Sequence, residues 1–139
     1  MNDGRVSARS ARCGRLLFAL WTATVGVLSL LPQEALPHTF GIGDLVQHGA
    51  VYAAGGVCAA VAWRGWRGLT LALAAGAALG GLLELAQHEW VRGRFGEWAD
   101  AGANAVGLLL GAIAFRLFTA WRRRRRGYSW GDPDNFTGL

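Results

Sequence analysis

Apolar residues fall in four long stretches that short polar segments separate. The stretches cover roughly residues 14–32, 45–63, 68–87 and 101–121. Each could cross a bilayer as a helix, because a helix rises about 1.5 Å per residue and the hydrocarbon core is about 30 Å thick. A soluble bundle would show a polar stripe on every helix, but after Thr70 the segment to Leu83 contains only Ala, Gly and Leu. The pattern predicts an all-α protein, a bundle of four transmembrane helices.

The arginines predict the orientation of this bundle. All 14 basic residues are Arg, and most of them lie before the first apolar stretch, at Arg64 and Arg67 between the second and third, or in the run Arg122–Arg126. Only Arg92 and Arg94 lie on the other side. Cytoplasmic segments of membrane proteins carry an excess of Lys and Arg. Both termini are therefore predicted to be cytoplasmic, with loops 33–44 and 88–100 outside.

Composition supports a membrane protein with lipid partners. The chain is 53% hydrophobic and carries a net charge of +5. The arginines are interpreted as topology determinants, so no nucleic-acid partner is predicted, and the run Arg122–Arg126 is expected to contact anionic lipid headgroups. The first stretch is interpreted as an uncleaved signal-anchor. The predicted organisation is a cytoplasmic tail over residues 1–13, a membrane domain over 14–121 and a basic, flexible cytoplasmic tail over 122–139.

Three polar residues recur along the start of the second stretch. Asp44, His48 and Tyr52 are spaced four residues apart, which places them within an arc of about 80° on one helix face. Each residue has a structural explanation of its own. Asp44 could be a helix N-cap, His48 could lie at the membrane interface, and Tyr52 could pack against a neighbouring helix.

The third stretch ends with Glu84, Gln87 and His88 on one face. Glu84 lies about 9 Å below the expected helix end. A charge at the centre of a membrane costs about 2.5–3.5 kcal/mol on insertion scales, and a shallower position reduces that cost without removing it. Glu84 must therefore be protonated, be reached by water, or be paired with a cation such as His48 or Arg94.

The fourth stretch places polar and small residues on one face. Asp100, Asn104, Gly107 and Gly111 fall within an arc of about 60°, and the glycines allow a neighbouring helix to approach closely. The polar faces of three helices share one depth, which predicts a common polar pocket that opens outward. Arg94 in the preceding loop could pair with a carboxylate or bind an anionic ligand. The candidate functional residues are Asp44, His48, Tyr52, Glu84, Gln87, Arg94, Asp100 and Asn104.

The order of these motifs resembles the VanZ-like family of small bacterial membrane proteins. Asp44 to Tyr52 is similar to the family's D-K-x-x-H-x-x-x-Y motif, and Glu84–Gln87 to its E-x-x-Q. Gly93-Arg94 matches its G-R, and residues 100–111 match D-x-x-x-N-x-x-G-x-x-x-G. The resemblance covers residues 28–115. It departs from the family at Leu45, where Lys is usual, and at Arg92, where Pro is common.

The resemblance implies a multi-pass protein of the bacterial cytoplasmic membrane and cell envelope. The name-giving members of the family are associated with low-level resistance to the glycopeptide teicoplanin. The favoured hypothesis is a non-enzymatic pocket that binds a lipid, a lipid-linked precursor or a glycopeptide, with no cofactor.

Two other functions remain open. The first is an intramembrane enzyme that uses Glu84 and His48 as an acid/base pair oriented by Asp100. Against it, the sequence shows no clear nucleophile. A metal site formed by Asp44, His48, Glu84 and Asp100 is a variant of this alternative, since carboxylates and imidazole suit zinc or manganese. The second is a proton or ion pathway. Cys13 is predicted to face the cytoplasm and Cys58 to lie within the second helix, so no disulfide is expected.

Overall fold

Helices account for nearly all of the described chain. The computed structural model describes residues 3–32, 43–91 and 97–127. The four helices are α1 (Asp3–Ser29), α2 (Asp44–Ala62), α3 (Trp66–Trp90) and α4 (Trp98–Gly127). Each contains a segment that is long and apolar enough to cross a membrane. The prediction of an all-α chain with four helices long and apolar enough to span a membrane is confirmed for the described residues.

The helices extend beyond the apolar stretches at their arginine-rich ends. α1 begins at Asp3, inside the predicted 1–13 tail, and α4 continues through the arginine run to Gly127. Hydropathy detects only the apolar part of a helix, whereas Arg and Ala also favour helical backbone where they are polar or exposed. α1 ends at Ser29 rather than at Pro32, since proline disfavours helical conformation in the residue before it.

α2 and α4 run parallel and approach each other most closely. A Cβ atom added to Gly107 would collide with the Gly49 carbonyl, and one added to Gly111 would collide with the Ala53 carbonyl. Along this interface the residue numbers of α2 and α4 increase in the same direction, so the two helices are parallel. Glycine permits such close backbone contact because it has no side chain. This interface brings the N-terminal ends of α2 and α4 to the same end of the bundle.

The other two helices pack against this pair. α1 runs antiparallel to α2, because Gly14 lies against Ala62 while Trp21 lies against Gly55. The Trp21 indole also donates a hydrogen bond to a carbonyl oxygen of α2 at 2.9 Å. α3 runs antiparallel to α4, with Gly76 against Leu108. At these helix contacts, a small residue of one helix therefore packs against a large side chain of the next, such as Trp21 or Leu108.

Large apolar side chains cover the outside of the bundle. Leu20, Leu71, Leu82 and Leu117 are all at least 64% exposed, and only 11–33% of each candidate membrane span is buried inside the protein. In water such a surface would be an aggregation liability, whereas lipid acyl chains are as apolar as leucine. The surface is therefore the one expected of a multi-pass membrane protein.

Candidate functional site

Two acidic residues lie where α2 and α4 begin. Asp44 is the first residue of α2 and is exposed, and Asp100 lies in the first turn of α4 and is buried. The prediction of Asp44 as the N-cap is wrong, because Gly43 occupies that position. A carboxylate in the first turn still interacts favourably with the positive end of the helix dipole. The parallel packing of α2 and α4 thus brings two carboxylates to one end of the bundle.

His48 lies at the centre of the polar residues. Its Nδ1 atom is 3.1 Å from Asn104 Oδ1 and 3.5 Å from Glu84 Oε1. Its Nε2 atom is 3.9 Å from Asp100 Oδ2. A single imidazole therefore connects residues from α2, α3 and α4. We call Asp44, His48, Glu84, Asp100 and Asn104 the His48 cluster.

Asn104 determines the donor and acceptor roles within the cluster. Its amide Nδ2 donates to Glu84 Oε1 at 3.5 Å, so its Oδ1 faces His48 Nδ1. An amide oxygen only accepts hydrogen bonds, so the imidazole donates from Nδ1. In the neutral imidazole the lone pair then lies on Nε2, on the side of Asp100. At 3.9 Å, Nε2 and the Asp100 carboxylate are too far apart for a direct hydrogen bond.

Glu84 is the most deeply buried carboxylate of the His48 cluster. Only 6% of the residue is exposed. The backbone of Glu97 also approaches this carboxylate. Its Oε2 atom, however, has no hydrogen-bond partner of good geometry among the described residues. A buried oxygen without a partner costs free energy, which makes it a reason to look for a ligand or a functional role.

Tyr52 and Gln87 lie beside the cluster and have packing roles. The Tyr52 ring is buried, lies edge-on to Trp21 at a centroid distance of 5.2 Å, and contacts Gly80. Gln87 is buried and donates a hydrogen bond to the Ser29 carbonyl at 3.1 Å. Gln87 therefore joins α3 to α1, while Tyr52 joins α2 to α1 and also lies within electrostatic range of Glu84.

The remaining predictions have mixed outcomes. Arg94 lies outside the described residues, so its predicted role stays a prediction. His88 is exposed and does not share the buried face of Glu84 and Gln87. Sequence reasoning also missed Gly49 and Ala53, which form the α2 side of the helix contact. Their spacing of four residues was the available signal, but α2 contains many small residues.

The charges of the His48 cluster limit what it can bind. The cluster contains three carboxylates and one imidazole, so it favours cations and hydrogen-bond donors over bare anions. Asp44, His48 and Asp100 each offer a ligand atom, and these atoms lie within 4.8 Å of one another. Asp44 is exposed, so the His48 cluster is open to the surroundings at this residue.

Comparisons of the chain with protein families, with curated proteins and with solved structures find no match. The resemblance to the VanZ-like family stays a prediction that rests on the order of the motifs in the sequence.

Proposed function

We propose that this chain is a multi-pass protein of the bacterial cytoplasmic membrane, related to the VanZ-like proteins, that binds the polar part of a lipid, a lipid-linked precursor or a glycopeptide. Both termini are in the cytoplasm, and the His48 cluster faces outward. One observation carries this proposal. Three buried polar side chains of the cluster, Glu84, Asp100 and Asn104, lie around the half-buried His48 at one end of helices long enough to cross a membrane.

The polar groups of the cluster suit a ligand with many hydroxyl or amide donors. Carboxylate oxygens accept several hydrogen bonds each, and sugars and peptides supply such donors. Asp44 is exposed and the His48 side chain is 15% exposed, so a ligand can reach the cluster from its open end. A ligand with a phosphate would need a cation in addition, a role that the sequence assigns to Arg94. The exposed leucines around the bundle are compatible with a ligand that remains anchored in the bilayer.

Teicoplanin susceptibility tests this function. A Gram-positive host expresses the parent chain, a His48→Gln/Arg94→Gln variant, or a control His88→Gln/Arg92→Gln variant, with equal protein levels in the membrane. The control removes one His and one Arg that are not among the candidate functional residues. We expect the parent and the control to protect and the His48→Gln/Arg94→Gln variant to lose protection. Equal protection by all three would contradict a role for the His48 cluster, and no protection by the parent would contradict the resistance function.

The orientation is tested separately by cysteine labelling. Cys13 is exposed on α1, and the proposed topology places it in the cytoplasm. A membrane-impermeant maleimide should label Cys13 only after the cells are permeabilised. In a Cys13→Ser background, Glu97→Cys should react in intact cells, because Glu97 is exposed at the end that carries the His48 cluster. The reverse labelling pattern would contradict the proposed orientation.

An enzyme acting on a lipid is the second candidate. It is favoured by the position of His48, which lies 3.5 Å from Glu84 and 3.9 Å from Asp100. An imidazole between two carboxylates can take up and release protons in a reaction. Purified protein would then convert a component of a bacterial lipid extract, detected by mass spectrometry, and Glu84→Gln would abolish the conversion. Binding of the component without conversion would favour the first function.

A further inference from the structure

We infer that Asp44, His48 and Asp100 form a binding site for one divalent transition-metal ion, of the class of Zn²⁺ or Mn²⁺. This inference goes beyond the proposed function and does not depend on it. The three residues come from two helices, and their ligand atoms lie within 4.8 Å of one another. Glu84, the deepest carboxylate of the cluster, supplies a second observation: its Oε1 is 3.5 Å from the imidazole of His48, and its buried Oε2 has no hydrogen-bond partner among the described residues.

The separations are suitable for a shared ion. Bonds from zinc to imidazole nitrogen or carboxylate oxygen are about 2.0–2.2 Å long, so two ligands at the tetrahedral angle are about 3.3–3.6 Å apart. His48 Nε2 and Asp100 Oδ2 are 3.9 Å apart, so a small shift of either side chain brings them to that separation. Asp44 is exposed at the first residue of α2, so a change of its rotamer can complete the set. Water can fill the positions that the protein leaves open.

The hydrogen bonds behind His48 prepare its Nε2 atom for a metal. The imidazole donates from Nδ1 towards Asn104 Oδ1 at 3.1 Å, with Glu84 Oε1 at 3.5 Å. Histidines that bind metals almost always donate their other N–H to a carboxylate or carbonyl oxygen, which orients the ring and raises its basicity. Here that contact directs the Nε2 lone pair towards the Asp100 carboxylate.

The charge of the buried residues also favours a cation. Only 6% of Glu84 is exposed, and its Oε2 has no hydrogen-bond partner among the described residues. The positive ends of α2 and α4 account for Asp44 and Asp100, but His48 and Glu84 lie deeper in the bundle. Within the described ranges, His48 is the one basic residue that contacts these carboxylates. A dication bound beside His48 would offset the negative charge of the carboxylates that the positive helix ends do not balance.

The ligand set indicates the class of metal. Imidazole suits zinc and other transition metals, while carboxylate and water also suit manganese. Mg²⁺ and Ca²⁺ prefer ligand sets made only of oxygen. The site lies at the end of the bundle, so an ion can enter from water without crossing the apolar part of the membrane.

Metal binding by the purified full chain tests the inference. The protein is purified in a neutral sugar detergent, stripped with a chelator and dialysed against Zn²⁺ or Mn²⁺, and bound metal is counted by mass spectrometry. We expect one ion per chain. With Mn²⁺, pulsed electron paramagnetic resonance should show nitrogen hyperfine coupling from His48. His48→Gln should remove that coupling, and Asp100→Asn should weaken binding by at least 100-fold.

Two further variants separate a metal ligand from a folding effect. Asp44→Asn changes an exposed side chain and should weaken binding at least 10-fold without loss of helical structure by circular dichroism. Glu84→Gln should weaken binding about 10- to 100-fold and keep the nitrogen coupling, as expected for a residue that acts through His48. The control variants His88→Gln and Glu89→Gln change exposed residues at the same end and should bind like the parent.

Three results would overturn the inference. The first is that the parent binds no stoichiometric metal. The second is that the parent and Asp100→Asn bind metal equally well. The third is that the His88→Gln or Glu89→Gln control loses metal binding. No lipid or glycopeptide is present in these measurements, so their failure leaves the resistance experiment unaffected, and the reverse also holds.

Discussion

The two ends of the bundle both bury polar side chains, but for different reasons. At one end, Arg116 of α4 donates to the Trp63 carbonyl at 2.8 Å, and its guanidinium lies 5.5 Å from the centroid of the Trp66 ring. Trp63 is the C-cap of α2, where free carbonyls and the negative end of the helix dipole are found. Arg116 therefore completes the end of a neighbouring helix, although its Nε, like Glu84 Oε2, has no hydrogen-bond partner among the described residues.

At the other end, helix termini explain only part of the cluster. Asp44 and Asp100 complement the positive ends of α2 and α4 by the same physics that applies to Arg116. His48, Glu84 and Asn104 lie deeper and bond mainly to one another. A bundle stabilised only by its helix ends and its apolar contacts has no need of them. This excess of buried polar groups is what distinguishes a candidate site from a structural cap.

The largest expected effect comes from breaking the helix contact on which both ends depend. We expect Gly111→Ala to lower the free energy of unfolding by about 3 kcal/mol, at the upper end of the usual cost of overpacking. The added methyl group would collide with the Ala53 carbonyl, which is backbone and cannot turn away. Unfolding in mixed detergent and sodium dodecyl sulfate micelles, followed by circular dichroism, measures this change.

Gly102→Ala on the same helix is the matched control. No described atom lies within 4 Å of a Cβ added there, so alanine should raise stability by about 0.5–1 kcal/mol through its better helix propensity. Equal effects of the two substitutions would mean that α2 and α4 are not in close contact at Gly111.

The face of α4 could be predicted from the sequence because its residues follow helical periodicity. Asp100, Asn104, Gly107 and Gly111 are all buried, and the two glycines contact α2 as expected. A spacing of three or four residues is a property of one helix and needs no knowledge of its neighbours. The common depth of His48 and Glu84 followed from the lengths of the apolar stretches in the same way.

Partners between helices could not be predicted from those spacings. The bond from Gln87 to the Ser29 carbonyl depends on how α1 packs beside α3, and neither helix has a polar pattern that determines this packing. The contact of Arg116 with Trp63 also depends on the position of α4 against the end of α2. The register of Gly49 against Gly107 likewise arises from close backbone contact in three dimensions.

The next largest effect should come from the structural end of the bundle. We expect Arg116→Gln to lower the free energy of unfolding by about 2 kcal/mol, because a hydrogen bond from a charged donor to a partly buried carbonyl is lost. The control is Arg123→Gln in the exposed arginine run, which should change stability by less than about 0.5 kcal/mol. Metal binding and protection from teicoplanin should survive in Arg116→Gln at permissive temperature. If they were lost while the protein stayed folded, Arg116 would be coupled to the cluster and the distinction between the two ends would fail.

The smallest effect on stability should come from Glu84→Gln at the end that carries the His48 cluster. Glutamine has nearly the same shape and can still accept a hydrogen bond from Asn104, while the cost of burying a charge disappears. His48 keeps its contact with Asn104 Oδ1 in this variant, so its Nδ1 is not left without a hydrogen-bond partner. We expect the free energy of unfolding to change by less than about 1 kcal/mol, measured as for the variants above.

The same Glu84→Gln variant should nevertheless lose metal affinity and protection, whereas Glu89→Gln, an exposed control at the same helix end, should lose neither. Residues retained for function often contribute little to stability or oppose it. A loss of several kcal/mol in Glu84→Gln, comparable to the loss in Gly111→Ala, would assign Glu84 to the framework of the bundle. It would also make the His48 end a structural element of the same kind as the Arg116 end.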